Sequence, residues 1–558
     1  MHHARSVTRA AAIAPLRAWQ QRALESTADW RHGSFLISAA PGAGKTRPAL
    51  EIARRELARG RCSSLVVACP TAPLTRQWAR AAHSLGLELA PDCDSPRPPR
   101  GFNGVAVTYA RIAQAPQRWA RAARAEMLVV ADEAHHLGRE LAWGEGFASA
   151  FARPVRWLLL SGTPFRSDAS PIPGVRYDAD GIAQPDLSYT YAEAVRDGIC
   201  RPVCFVAYDG ALSWRSGEDV IESSFETVLS AREASRRYRT AISTELPDGL
   251  PRILREADAK LHRLRADGHR DAGGLVIAAD SAHARRIAAL MRRATGRAPV
   301  VVLHAEARAA AKIAEFRGSS EPWIVAVNMV SEGVDIPRLR VGVYASAAKT
   351  ALVFRQIVGR FVRTLPGAGA EPSWLYVPAD RVLCEHAASV ERELLHALRP
   401  RAGADGEGEL ERPAQRESAR AQPLDFQPLR ADVAAQLTLF GPPVPIAPPG
   451  ERRAAAPPLS PAPAPGGVAL GDRHGANLAV TAPPEAGDGA GPAFERRASL
   501  RAQRHRLVAE LRRRDGASHR EINAWVNRQV GVASVQEATI DQLQRSIELL
   551  VRRLARPM

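Results

Sequence analysis

Apolar residues gather in short unbroken runs separated by amphipathic stretches. Phe35-Leu-Ile37, Ser64-Leu-Val-Val-Ala-Cys69, Val105-Ala-Val-Thr-Tyr109, Met127-Leu-Val-Val-Ala131 and Trp157-Leu-Leu-Leu160 are such runs. They are too short for helices of a core and too uniformly apolar for half-exposed strands. They predict strands buried on both faces of a sheet. Helical spacing fills the gaps, as in Leu16–Leu24 and Arg47–Arg55. The same alternation returns at Gly274–Ala284, read as strand, N-cap and helix, and at Trp323–Val327. Between the two halves, residues 230–270 are rich in Arg, Ala and Glu with helical spacing, which predicts a connecting helical element. The pattern is that of an α/β protein.

After about Leu398 the pattern stops. Residues 396–495 are rich in Pro, Ala and Gly, as in Pro442-Pro-Val-Pro445, and predict a disordered linker. Helical spacing resumes over 496–558, through Arg501–Leu511 and Ile540–Leu550. That segment holds 14 Arg against 6 acids, a small basic helical module for which nucleic-acid binding and protein docking are both open. The expected division is 1–205, 206–395, 396–495 and 496–558.

The stretch Ser38-Ala-Ala-Pro-Gly-Ala-Gly-Lys-Thr46 lies between a predicted strand and a predicted helix. Gly42, Ala43 and Gly44 allow the backbone to close around an anion with N–H groups pointing inward. Lys45 would reach the β/γ-phosphates of a nucleotide, and Thr46 would hold Mg²⁺ through its hydroxyl. The chain contains four lysines, Lys45, Lys260, Lys312 and Lys349, against 72 arginines. A compact ammonium is thus retained in the loop by a chain that otherwise uses guanidinium, as a crowded phosphate site requires. The first position of the GxxxxGK[ST] pattern is Ala39, which fits an AxxGxGKT variant. Upstream, Gln20 has an amide that would read adenine as donor and acceptor, although taken alone this stretch reads better as an ordinary amphipathic helix.

Charge and cysteine content narrow the setting. The formal net charge is +17, which suggests a polyanionic partner. The six cysteines have no CxxC pairing, so neither a zinc site nor a disulfide framework is expected, and a reducing cytoplasm is the simplest compartment. The apolar runs are too short to span a bilayer, no signal-peptide core is visible, and no membrane partner is expected.

A second chemical signal ends the run at Met127. Asp132 and Glu133 follow a predicted strand, Asp132 suited to Mg²⁺ and Glu133 to polarising an attacking water. His135 would couple this site to the rest of the chain, with Ser161 and Thr163 as small hydroxyl switches. The strand-to-turn junctions at Pro70-Thr71 and Thr108-Tyr109 are places where a nucleic-acid backbone would lie. Gln356-Ile-Val-Gly-Arg-Phe-Val-Arg363 sets Arg360 and Arg363 three apart on one helix face, where they would serve as arginine fingers.

Pro41-Gly-Ala-Gly-Lys-Thr46, Pro70-Thr71, Asp132-Glu-Ala-His135 and Ser161-Gly-Thr163 together resemble the superfamily 2 helicases. The acid box is similar to the DEAH-type group that includes type III restriction enzyme helicase subunits and double-strand DNA translocases. Trp323–Pro337 and Gln356–Arg363 resemble helicase motifs V and VI. The resemblance covers about residues 12–390. It implies two tandem RecA-like parallel-sheet lobes with ATP and Mg²⁺ between them. It further implies nucleotide contacts by Gly333 and Asp335, a catalytic role for Gln356, and nucleic-acid contacts at Pro70, Thr71, Thr108, Tyr109 and Ser281. DNA is the expected substrate, because Gln356 and the Ser161-Gly-Thr form differ from the usual RNA-type DEAD-box pattern. RNA, or a subunit role in a restriction, nuclease or phage-defence complex, is the alternative.

Two other readings compete. Pro247-Asp248 with Asp258-Ala-Lys260 formally matches a PD…DxK metal nuclease core, although the surrounding spacing reads as helix. A non-catalytic scaffold would not need Lys45, Glu133 and Arg360. Finally, Gln436-Leu-Thr-Leu-Phe440 resembles the pentapeptide by which bacterial proteins bind the polymerase sliding clamp. Leu439 and Phe440 would fill an apolar pocket, Leu437 would add area, and Gln436 would bond the rim. The alternative is that these apolar residues pack back onto the second lobe.

Overall fold

The computed structural model describes residues 15–124, 126–139, 141–152, 155–162, 171–179, 181–303, 306, 308–327, 336–364, 371–398, 426–437 and 491–555. The first lobe is built on strands β1 (Ser34–Ala39), β2 (Ser64–Cys69), β3 (Leu89–Pro91), β4 (Gly104–Thr108), β5 (Met127–Asp132) and β6 (Arg156–Ser161). A small antiparallel pair, β7 (Arg176–Tyr177) and β8 (Ala183–Gln184), precedes β9 (Leu187–Tyr189). The main sheet runs β3-β4-β2-β5-β6-β1-β9 and is parallel throughout. Every residue of β2 and β5 is buried, which is why those runs are apolar without alternation. The order places β5, β6 and β1 side by side. The loops leaving their carboxyl ends therefore converge on one spot.

The chain crosses to the second lobe at Cys200–Pro202 and enters β10 (Val203–Ser216) and β11 (Asp219–Ser223). Then follow β12 (Gly273–Ala278), β13 (Val300–Val302), β14 (Trp323–Val327), β15 (Leu339–Ala345), β16 (Ser373–Pro378) and β17 (Phe426–Leu437). Their order is β11-β10-β16-β15-β12-β14-β13, with β17 antiparallel along the other edge of β10. The predicted connecting element forms two helices, Ala231–Ala241 and Leu250–Ala266. They pack on the second sheet. Leu250, Ile253, Leu254, Ala257 and Leu261 face its core.

Strand β17 lies within the stretch expected to be a disordered linker, and the helix Arg381–Leu398 runs into it. Composition misled here because an edge strand tolerates Pro428 and charged residues that a central strand excludes. Its backbone pairs from Val206↔Leu437 to Ser216↔Phe426. Gln436 and Leu437 are therefore held in a sheet ladder opposite Ala207 and Val206 rather than presented as a free clamp-binding peptide. Their backbone groups already serve β10. Leu439 and Phe440 lie outside the described residues.

The basic module is three helices, Ala493–Asp515, His519–Val530 and Ile540–Leu554, around Val508, Leu511, Ile522, Val526 and Leu550. Capping boxes at Ser518/Glu521 and Thr539/Gln542 start the second and third helices. It docks beside β3 of the first lobe. The Ala493 amide donates to Glu88 (3.0 Å), Arg80 pairs with Glu495 (2.7 Å), and the Arg497 guanidinium lies over Phe102. Part of its arginine surplus is internal: Arg504 donates to Asn523 and Asn527, and Arg497 to the carbonyls of Gln536 and Ala538.

Candidate active site between the lobes

The turn after β1 is a phosphate-type cradle. Gly42 (φ +82°) and Gly44 (φ +88°) are left-handed, a conformation a side chain would strain. Ala43 between them is fully buried. Lys45 is the N-cap of the helix Thr46–Ala58, whose first turn carries no acidic residue. The helix N-terminus there is not neutralised by an acid of its own first turn, as an anion site requires. Lys45 Nζ stands 3.6 Å from Glu133 Oε1 and 3.4 Å from the Ala39 carbonyl.

Gln20 is buried and braces this loop. Its Nε2 donates to the Gly44 carbonyl (3.1 Å) while its Oε1 accepts from the Arg17 amide (3.1 Å). Arg17 Nη1 adds a bond to the Ala43 carbonyl (2.9 Å). One donor and one acceptor site of the Gln20 amide thus brace the loop, beside the adenine contact that spacing suggested.

At the carboxyl end of β5, Asp132 is buried, and its Oδ2 accepts from Trp78 Nε1 (2.8 Å). Its main-chain carbonyl accepts from the Tyr109 hydroxyl (2.7 Å). Burial and the neighbouring Glu133 charge push the Asp132 carboxyl upward. Burial would raise Glu133 too, but Lys45, His135, His136 and Arg360 together hold it below the usual carboxylate range. Two adjacent acids with opposed shifts suit different tasks. Glu133 adopts φ +51°, uncommon for a residue with a Cβ and typical of a functional turn.

His135 joins the two lobes. Its Nδ1 lies 3.1 Å from Ser161 Oγ in the first lobe and its Nε2 3.1 Å from Gln356 Nε2 in the second. Thr163 lies outside the described residues, as do Gly333 and Asp335. Gln356 and Arg360 sit on the helix Ala351–Phe361, with Arg363 just beyond it. Gly359 on that helix approaches the cradle so closely that a Cβ there would stand 2.6 Å from Pro41 Cβ. The cleft, of about 250 Å³, is lined by Gly42, Lys45, Thr46, Asp132, Glu133 and His135 from one lobe and by Gln356, Arg360 and Arg363 from the other.

Sequence reasoning missed what fixes Arg363. The crossing segment pairs with the end of motif VI: Cys200 forms a backbone bridge with Arg363, and the Arg201 amide donates to the Val362 carbonyl (2.7 Å). Thr364 Oγ1 donates to the Ile199 carbonyl (2.9 Å), and Cys200 Sγ lies 3.5 Å from the Pro41 carbonyl. No local pattern signals such a junction.

The expected nucleic-acid residues divide. Pro70, Thr71 and Thr108 sit at the carboxyl ends of β2 and β4, and Ser281 begins the helix Ser281–Thr295 after β12. Thr71 precedes the helix Ala72–His83 without capping it, and its hydroxyl has no partner. Ser281 is exposed beside the N-cap Asp280. Tyr109 is fully buried and spends its hydroxyl on Asp132, so it does not contact a nucleic acid directly. The nuclease reading also fails on geometry. Asp258 and Lys260 share one helix; Asp258 accepts from Trp323 Nε1 (2.7 Å), and the Lys260 ammonium stands 3.7 Å over the Trp374 ring.

Residues 13–166 match the family described as type III restriction enzyme, res subunit. An uncharacterised protein of Mycobacterium tuberculosis H37Rv, Rv2917, is 43% identical over 393 residues, 69% of this chain and 64% of that protein. The uncharacterised protein ML1624 of Mycobacterium leprae is 41% identical over 396 residues, 69% of this chain and 65% of that protein. The chain thus spans somewhat less than two thirds of the curated relatives it matches. A solved ATP-dependent type ISP restriction-modification enzyme, LlaBIII bound to DNA, aligns with TM-score 0.46 and 16% identity over 68% of this chain and 30% of that one. A first lobe whose residues 13–166 match the res-subunit family model is thus followed by a second lobe with a parallel core, and side chains of both line one cleft.

Proposed function

We propose that this chain is a DEAH-type, nucleic-acid-stimulated ATPase that moves along DNA. The observation that carries it is the shared cleft: Lys45, Thr46, Asp132 and Glu133 come from one lobe, Gln356, Arg360 and Arg363 from the other. A site split in this way is complete only when the lobes close.

The residues fit MgATP. Gly42 and Gly44 open the backbone for phosphate oxygens, Lys45 supplies an ammonium, and Thr46 with Asp132 offers the hydroxyl and carboxylate that Mg²⁺ takes beside phosphate oxygens. Mg²⁺ would neutralise charge on the β- and γ-phosphates. Glu133 is kept ionised by Lys45 and its other cationic neighbours, where its carboxylate would orient and polarise the attacking water. Arg360 and Arg363 face the same space, where they stabilise the negative charge of phosphoryl transfer. His135 reads the state of the cleft, since it touches Ser161 and Gln356 at once. Cleft opening after hydrolysis would let each lobe take a new hold on the backbone. Holds made on phosphate carry little sequence preference.

Lys45→Ala and Glu133→Gln should each abolish nucleic-acid-stimulated ATP hydrolysis by the purified full chain. Normal stimulated turnover by either variant overturns the mechanism. Comparing stimulation by single- and double-stranded DNA and RNA tests the substrate, and stimulation by RNA alone overturns the DNA assignment.

A further inference from the structure

Asp132 is held from behind by two side chains that do not line the cleft. Trp78 Nε1 donates to its carboxylate (2.8 Å) and Tyr109 OH to its carbonyl (2.7 Å), and both rings are at most 1% exposed. Each donor belongs to a segment that starts at the carboxyl end of one of the two strands beside β5 on that flank, β2 and then β4. Trp78 is on the helix Ala72–His83 after β2, and Tyr109 opens the short helix Tyr109–Gln114 after β4. The residues leading into these segments, Thr71 and Thr108, are the ones read above as backbone contacts. Thr71 and Trp78 are separated by two helical turns, about 10 Å of stiff backbone. The Thr71 hydroxyl is buried without a partner, and the helix Ala72–His83 has no side-chain cap, so the helix's first amides are left for a ligand.

We propose that Trp78 and Tyr109 are positioning residues that couple the nucleic-acid track to the carboxylate that holds Mg²⁺. This rests on the function proposed above. A phosphate held at Thr71 or Thr108 biases the placement of the two segments. The buried hydrogen bonds pass that bias to Asp132, because a bond of 2.7–2.8 Å tolerates little sliding. Such coupling is reciprocal: nucleotide must change DNA affinity by the factor by which DNA changes nucleotide affinity.

The test is a binding measurement on the full chain. DNA affinity is read by fluorescence anisotropy with and without Mg²⁺ and a non-hydrolysable ATP analogue. The unaltered chain should show a ratio in the range of roughly 5–150-fold usual for coupled sites. Trp78→Phe keeps an aromatic body and removes the N–H; Tyr109→Phe deletes one oxygen. Each should bring the ratio to within about twofold of one, and leave DNA affinity without nucleotide unchanged. Variants that keep the unaltered ratio overturn the proposal. So does a lowered melting temperature with an intact ratio, which is the mark of merely structural bonds. A ratio of one in the unaltered chain overturns the reading of the cleft, and this inference with it. Should Trp78→Phe fail to fold, Tyr109→Phe decides, because it leaves the ring packing in place.

Discussion

Gly359→Ala tests whether catalysis needs the two lobes in contact at the cradle. A methyl at Gly359 would stand 2.6 Å from Pro41 Cβ and 3.1 Å from Pro41 Cγ. Ordinary carbon–carbon contacts are about 3.5–4.0 Å, so the lobes must part here by about 1 Å. Pro41 cannot yield easily, since its ring is rigid and its loop is tied by Arg17 and Gln20 to the first helix. The shift therefore falls on the motif VI helix and on Arg360, the next residue.

A misplacement of about 1 Å in a positioned group costs about 10²-fold in rate. Loss of an arginine finger costs about 10³–10⁵. Gly359→Ala should thus turn over ATP about 100-fold more slowly than the unaltered chain, and faster than Arg360→Ala. Stability should move the other way. Ala in a helix interior is favoured over Gly by about 1 kcal/mol, so the melting temperature should hold or rise. Steady-state ATPase assays with saturating DNA, beside a thermal melt, read both. Undiminished kcat would refute the contact. A clear fall in melting temperature would show that the strain is absorbed inside the second lobe.

Two further substitutions probe other contacts. Glu56 is fully buried among Arg55 (3.0 Å), Arg61 (2.9 Å) and Arg156 (2.6 Å). Burial alone would raise its carboxyl, but the three guanidiniums lower it from 4.5 to about 2. A depressed folded-state value adds stability above pH 4.5, about 3 kcal/mol here, which is lost as pH falls through about 2. Glu56→Gln should lower stability near pH 7 by about 3–5 kcal/mol by leaving buried cations uncompensated, and should flatten that acid limb; an unchanged denaturation midpoint would refute the network. Thr364→Val removes the bond to Ile199 that steadies the residue beside Arg363. It should lower kcat about tenfold with KM nearly unchanged, from a loss of about 1–1.5 kcal/mol, and Thr364→Ser should restore it. Equal loss in both variants would assign the effect to packing instead.

What could be read from the sequence follows from how local each signal is. A central parallel strand is buried on both faces wherever it occurs, so Met127–Asp132 announces itself by composition and delivers its acids to the cleft edge without further information. The cradle is equally local, because its glycines, lysine and helix start are contiguous. Strand β17 is the opposite case. Phe426–Leu437 has Pro428, Arg430 and Asp432, and it becomes a strand because β10 offers an unpaired edge. Tyr109 shows the same limit within the site. Its place after β4 is shared with Thr108, and nothing in that dipeptide says which side chain turns inward. Packing decides, through Trp143 and Phe147 against its ring and Asp132 at its hydroxyl. At Gly359 the lack of a side chain is legible as cleared space, but the occupant, Pro41 far away in sequence, is not. The contacts that assemble the cleft join segments with no sequence relation to one another. The groups they position could be named from the chain alone, but their mutual placement required the folded lobes.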